Sequence, residues 1–114
     1  MNYRIKEEYI DQWGGMGNHS EIITEQELKD MCRGWEMDKA ALMEQLEPVN
    51  GNIAEIASPT RWGFREPVKT KSAMKVARLL GSGQVGEWVN VYDHKGRLIS
   101  RVICGPHGYY RVNV

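Results

Sequence analysis

Residues 88–104 read WVNVYDHKGRLISRVIC, and this stretch decides the fold of the C-terminal third of the 114-residue chain. Both of its flanks are rich in Val, Ile, Tyr and Trp, the residues that favour strands. Between them, Asp93 and Gly96 occupy the first and last positions of a type I turn, with glycine in the left-handed position that follows such turns in hairpins. A further turn at 105–108 and a third strand at 109–114 complete a predicted antiparallel meander.

The turn also predicts the pairing of the first two strands, with Asp93 opposite Arg97. Because side chains alternate along a strand, this pairing assigns two sets of residues to opposite faces of the sheet. One face carries Trp88, Asn90, Tyr92, Leu98, Ser100 and Val102, and the other carries Val89, Val91, Ile99, Arg101 and Ile103. Neither set is cleanly polar, so the pattern does not decide which face is buried.

A helix is predicted before the meander, over residues 70–80. Its apolar residues follow the i, i+3, i+4, i+7 spacing of an amphipathic helix and are Ala73, Val76, Ala77 and Leu80. Gly81 ends the pattern. We expect the apolar face of this helix to pack on one face of the meander.

The N-terminal half is predicted to contain two short helices. Thr24 and Glu27 have the spacing of a capping box at the start of a helix over residues 25–33. A second helix begins at Asp38 and ends before Pro48. The two helices predict an αα-hairpin.

The fold class that follows is α+β, with an αα-hairpin first and then a helix packed on a three-stranded antiparallel β-meander. The length is that of a single domain. Residues 1–13 alternate like a strand and also have helical spacing, so their structure stays open.

Charge is segregated along the chain although its formal net charge is zero. Residues 1–57 carry 5 Lys and Arg against 12 Asp and Glu, a net of 5 − 12 = −7. Residues 58–114 carry 10 against 3, a net of 10 − 3 = +7. Such asymmetry indicates an acidic and a basic surface for charged partners, or two halves that attract each other within one domain.

The basic half holds the candidate residues for binding nucleic acid or another anion. Lys71, Lys75 and Arg78 form a purely basic stripe along the predicted helix. The set is completed by Trp62, Arg65, Arg97, Arg101 and Arg111, because aromatics flanked by arginines can stack on bases and contact phosphates. The alternatives are a solvated helix face and aromatic residues that anchor a loop into the core.

The acidic half is a candidate protein-binding surface, formed by Glu25, Asp30, Glu36 and Glu44. Its hairpin has the lengths of a helix-turn-helix, but the second helix offers one lysine among several carboxylates. DNA binding requires neutralised phosphates, so this helix would repel DNA. An acidic surface can instead stand in for phosphates and inhibit a nucleic-acid-binding protein.

No complete catalytic or metal motif is present, and we expect neither enzymatic activity nor a cofactor. Residues 81–86 match GxGxxG, but they follow a helix and precede a strand, the reverse of a dinucleotide site. Cys104 and His107 lack an orienting third group. Cys32 and Cys104 are expected to be free thiols.

The first 48 residues resemble short uncharacterised accessory proteins of bacterial phages and mobile elements. The resemblance rests on aromatic and helix-capping positions, namely Tyr3, Ile5, Tyr9, Trp13, Thr24, Glu27, Leu28, Trp35, Leu42, Gln45, Leu46 and Pro48. It implies a bacterial cytoplasmic context and assigns no functional residue.

The expected function is that of a small non-catalytic interaction or regulatory protein with a protein partner. Nucleic-acid binding through the basic half is the alternative. The chain has no signal-peptide pattern and no apolar run long enough for a membrane span, so a cytoplasmic location without membrane contact is expected.

Overall fold

The fold is described from a computed structural model of the 114-residue chain. It describes residues 1–13, 21–34 and 38–114, with the side chains of Trp13 and Trp62 left aside. The described residues form two antiparallel sheets with helices packed on them, which confirms the α+β class.

The first sheet has three short strands in the order β2-β1-β3. They are β1 (Asn2–Ile5), β2 (Ile22–Ile23) and β3 (Leu46–Val49). A 3-10 helix (Glu7–Trp13) follows β1, and the helices α1 (Glu25–Gly34) and α2 (Lys39–Glu44) lie between β2 and β3 in the chain.

The second sheet has five strands in the order β5-β4-β6-β7-β8. They are β4 (Asn52–Ser58), β5 (Arg61–Val68), β6 (Trp88–Tyr92), β7 (Leu98–Gly105) and β8 (Gly108–Arg111). Helix α3 (Ala73–Leu80) connects β5 to β6 and contacts β6, β7 and β8.

The predicted arrangement of a helix on a three-stranded meander is therefore wrong. The meander exists as β6, β7 and β8, but β4 and β5 extend its sheet and β1, β2 and β3 form a second one. Two of these strands contain a proline, Pro48 in β3 and Pro67 in β5. Both prolines lie in edge strands, β3 and β5, where the missing N–H costs no ladder bond.

The predicted helix starts in the N-terminal half are confirmed. The N–H of Glu27 donates to Oγ1 of Thr24 at 3.2 Å, and the N–H of Thr24 donates to Oε1 of Glu27 at 3.0 Å. Asp38 caps α2 by accepting from the N–H of Ala40 at 3.0 Å. The predicted turn between the two helices falls on 35–37, outside the described residues.

The predicted faces of the meander are wrong because β7 contains a bulge. Tyr92 pairs with Leu98 as expected, but Val91 pairs with Ser100, so Ile99 is an extra residue. The shift by one residue exchanges the faces of everything beyond it. Val102 therefore shares a face with Val89 and Val91, not with Trp88 and Asn90.

The face that carries these valines is buried under α3. Together with Ala54 and Ile56 from β4, they pack against Ala73, Val76 and Ala77 of α3. We call this the α3 face of the second sheet, and we call the other the open face. A separate core lies between the first sheet and its helices and includes Ile5, Ile23, Leu28, Leu42 and Leu46.

The first sheet packs on part of the open face. Ile22 and Val49 contact Ile53 of β4, with Tyr92 packed beside them. Asn2, fully buried, donates from Nδ2 to the Asp93 carbonyl at 2.9 Å. These contacts join the acidic and basic halves. No helix among the described residues has the length and apolarity needed to cross a lipid bilayer.

Candidate nucleic-acid interface

A groove of about 790 Å³ runs along the start of α3 and the adjoining ends of β7 and β8. Its charged lining side chains are five cations, Lys69, Lys71, Lys75, Arg101 and Arg111. No aspartate or glutamate side chain lines it within the described residues. We call it the basic groove.

The turn between β5 and α3 places three of these lysines. Asn52 donates from Nδ2 to the Thr70 carbonyl at 3.1 Å, and the Ser72 N–H donates to Oγ1 of Thr70 at 3.0 Å. Ser72 then caps α3 by accepting from the Lys75 N–H at 3.2 Å. The turn is thereby fixed, and Lys69, Lys71 and Lys75 come to line the same groove.

Strand β7 supplies the other side of the groove. Oγ of Ser100 accepts from the Ala73 N–H at 2.9 Å and ties the start of α3 to the sheet. The Val112 N–H donates to the Arg101 carbonyl at 3.0 Å, which brings the end of β8 beside β7. Ser72 and Ser100 already accept from two N–H groups in the first turn of α3, so these groups are not free to bind an anion. An anion in this groove would therefore be held by the cationic side chains.

Most of these cations are accessible to a ligand. Lys69, Lys71, Lys75 and Arg111 are exposed. Arg101 is half-buried, and its Nε has no hydrogen-bond acceptor among the described residues. This atom is closed to solvent, so an anion in the groove would contact the exposed cations rather than Nε of Arg101.

The structure divides the predicted basic set. Lys71, Lys75, Arg101 and Arg111 meet in the groove, and Arg78 is exposed one turn further along α3. The side chain of Trp62, on β5, lies outside the described part of the chain. Lys69 was missed, although its position two residues before Lys71 was a usable signal.

Two predicted cations form ion pairs within the protein instead. Nε of Arg65 lies 2.6 Å from Oε2 of Glu55, and the same guanidinium contacts Glu27. Nε of Arg97 lies 3.2 Å from Oδ2 of Asp93 across the turn. Attraction between the two halves of the chain thus accounts for Arg65 and leaves the groove cations unpaired within the described residues.

The predicted acidic surface is mixed in charge. Asp30 and Glu44 are exposed and Glu25 is half-buried, while Glu36 lies outside the described residues. A cleft of about 360 Å³ beside α1 is lined by Glu25 and by the cations Lys29, Arg33 and Lys39, with Tyr3, Leu28 and Cys32 as its less polar part. This part of the surface therefore carries charges of both signs.

A cluster of hydroxyls around Glu87 has a structural role. Glu87 is fully buried, and its carboxylate accepts from the N–H and Oγ of Ser82 at 3.0 and 2.6 Å and from the Tyr109 hydroxyl. Burial opposes its ionisation, but these donors lower the pKa of Glu87 below its usual value. With both oxygens occupied, this carboxylate holds the loop after α3 and is not placed to act as a base.

The cysteines and histidines do not assemble a site in the described residues. Cys104 is buried on the α3 face and donates from Sγ to the Gly83 carbonyl at 3.3 Å, whereas His107 is exposed in the next turn. No group of three or more His, Cys, Asp or Glu that could hold a metal occurs among the residues the structure describes.

Comparisons with protein-family models, with curated proteins and with solved structures found no match to this chain.

Proposed function

We propose that this protein binds the phosphate backbone of a nucleic acid in the basic groove. The observation that carries this proposal is the charge of the groove, five cations with no carboxylate side chain among its described lining residues. Nucleic-acid affinity comes largely from neutralised phosphates. A groove that follows a helix and the edge of a sheet suits an extended polyanion better than a compact ligand.

A solvated helix face is the competing interpretation, and the groove argues against it. Solvated surfaces usually intersperse both signs of charge, as the α1 cleft does. The groove cations come from the turn before α3, from α3 itself, from β7 and from β8. Like charges brought together from four segments repel one another, so their convergence is unfavourable unless an anion compensates it.

The test is fluorescence anisotropy of labelled single-stranded DNA, double-stranded DNA and RNA, titrated with protein at several salt concentrations. We expect binding that weakens with salt. Lys71→Glu with Lys75→Glu should weaken it at least about tenfold and lower the salt slope by about 2, one for each phosphate contact removed.

The matched control is Lys29→Glu with Lys39→Glu, which changes the net charge equally at exposed lysines beside α1. It should retain most of the wild-type affinity. Equal losses in both double variants would indicate a response to net charge and would contradict a groove. Absence of binding by the wild-type protein at low salt would contradict the proposal altogether.

Protein binding is the second candidate, and the cleft beside α1 favours it. This cleft combines apolar residues with charges of both signs, as the rims of protein interfaces do. The test compares proteins retained from a bacterial lysate by the wild type and by Lys29→Glu with Arg33→Glu, which reverses two cations that line the cleft. A partner lost only in the variant would support the cleft, and identical sets would count against it.

A further inference from the structure

The open face of the second sheet carries a row of apolar side chains beyond the first sheet. The strand pairing places Trp88 of β6 opposite Ala57 and opposite Ile103 of β7, and Ile103 opposite Tyr110 of β8. Paired residues of antiparallel strands project from the same face. Ala57, Trp88, Ile103 and Tyr110 therefore form one row across four strands, which we call the aromatic row.

The aromatic row is accessible. Tyr110 is 52% exposed, and Trp88 and Ile103 are half-buried. A Cβ added at Gly105 would lie 3.1 Å from Cε1 of Tyr110, so the ring lies over this glycine against the sheet. Neighbouring strands are about 4.8 Å apart, which puts the backbones of Trp88 and Tyr110 about 10 Å from each other.

Arg101 connects the aromatic row to the basic groove. Its guanidinium carbon lies 5.8 Å from the centre of the Trp88 ring, and the residue also lines the groove. A guanidinium beside an aromatic ring fits a ligand that carries both an anionic group and a flat ring.

We propose that the aromatic row is a stacking platform for the bases of a single-stranded nucleic acid whose phosphates lie in the basic groove. This inference rests on the proposed function and adds the strandedness of the ligand. Every base has a face that can stack on an aromatic side chain, but in a duplex those faces are covered by neighbouring bases. A platform about 10 Å long has room for one or two unstacked bases.

The charge of the region selects this occupant over another protein. The aromatic row lies on the open face and the basic groove on the α3 side of the same edge of the sheet. Arg101, one of the five groove cations, lies against the Trp88 ring and links the two. A single strand provides phosphates and rings at regular intervals along one flexible chain. By passing round the β8 edge of the sheet, it can place phosphates in the basic groove and a base on the aromatic row at once.

The experiment measures anisotropy of a labelled 12-nucleotide single strand and of the matching duplex with the wild type, Tyr110→Ala and Tyr110→Phe. Since Tyr110 is exposed, its truncation should not unfold the protein. We expect preference for the single strand, about tenfold weaker single-strand binding by Tyr110→Ala, and near wild-type binding by Tyr110→Phe, which keeps the ring. The salt slope should stay unchanged, because no phosphate contact is removed.

The matched control is Leu79→Ala, which truncates an 81% exposed apolar residue on α3 and should leave binding unaltered. Equal affinity for the duplex and the single strand, with no effect of Tyr110→Ala, would overturn the stacking platform and leave the basic groove standing. Loss of duplex and heparin binding by Tyr110→Ala would also overturn it, since a stacking residue should not affect ligands without accessible bases. Failure of the wild type to bind any nucleic acid would refute the proposed function itself.

Discussion

Nη2 of Arg65 lies 3.1 Å from Oε2 of Glu27, a residue 38 positions earlier in the chain. Glu27 is also the capping-box residue of α1. One carboxylate therefore both caps this helix and joins it to the second sheet through Arg65. Burial raises the pKa of Glu27, but the Arg65 guanidinium more than offsets this and holds the pKa below its usual value. On its other side, Arg65 pairs with the largely buried carboxylate of Glu55.

Replacement of Arg65 by methionine should destabilise the protein by about 3 kcal/mol. The change keeps an unbranched apolar stem but leaves Glu55 and Glu27 without their cation, and Glu55 is only 13% exposed. Urea denaturation followed by circular dichroism measures the loss. The control, Arg97→Met, breaks the pair between Asp93 and the 67% exposed Arg97 and should cost less than about 1 kcal/mol. Equal denaturation midpoints for the two variants would contradict this account.

Glu87→Gln should lower the free energy of unfolding by about 2 kcal/mol at neutral pH. The reason is that the amide accepts only neutral hydrogen bonds from Ser82 and Tyr109, where the carboxylate accepts charge-assisted ones. The pKa of Glu87 in the folded protein is below the ordinary value of 4.5. Its stabilising effect is therefore complete above that value and disappears as the pH falls through the folded pKa.

The difference between wild type and Glu87→Gln should accordingly shrink in acid. Urea denaturation at pH 7 and at successive values below 4.5 measures it. A difference that stays constant across this range would show that Glu87 stabilises the fold without its charge.

Gly81→Ala should destabilise the protein by about 3 kcal/mol through steric overlap. A methyl group there would meet the Tyr109 hydroxyl and the Ala77 carbonyl, and would lie 2.7 Å from Oε1 of Glu87. Gly83→Ala is the control, since a methyl at that site meets nothing within 4 Å but the backbone φ of +76° is left-handed. Its strain should cost about 1 kcal/mol. Thermal denaturation compares the melting temperatures of the two variants, and Gly81→Ala should have the lower one. A lower melting temperature for Gly83→Ala would contradict the steric overlap.

The two cysteines should react with a thiol reagent in two separate stages. Cys32 is half-buried beside the α1 cleft, whereas Cys104 is 3% exposed. We expect one thiol to react with a chromogenic disulfide under native conditions and the second only in denaturant, because modification requires access. Cys32→Ser should abolish the native reaction. Equal native rates for both thiols would show that the α3 face opens readily.

Local features of the fold could be read from the sequence because their determinants are neighbours in the chain. The turn after β6 is one example, since Oδ1 of Asp93 accepts from the N–H groups of Lys95 and Arg97 at 2.9 Å, as its position predicted. The capping box at Thr24 is another. The α3 helix also forms, shortened at its start to the cap at Ser72.

The site could be predicted only in part. The stripe on α3 identified Lys71 and Lys75, but the same reasoning grouped them with Arg65 and Arg97, which are paired with carboxylates. Sequence distance hides such pairing, because Glu27 is far from Arg65 along the chain. The aromatic row was also missed, since its members come from separate strands.

The sequence by itself determined the elements whose hydrogen bonds close within a few residues. These are the helix caps, the 93–96 turn and helix α3, whose apolar stripe marked it. Only the tertiary structure decided the sheet order, the bulge at Ile99 and therefore which side of β7 is buried. The physical reason is that a strand satisfies its backbone only through a partner that is distant in sequence. A shift of one residue in that pairing exchanges the two faces of the sheet. The same pairing brings Arg101 next to Trp88 and to the basic groove.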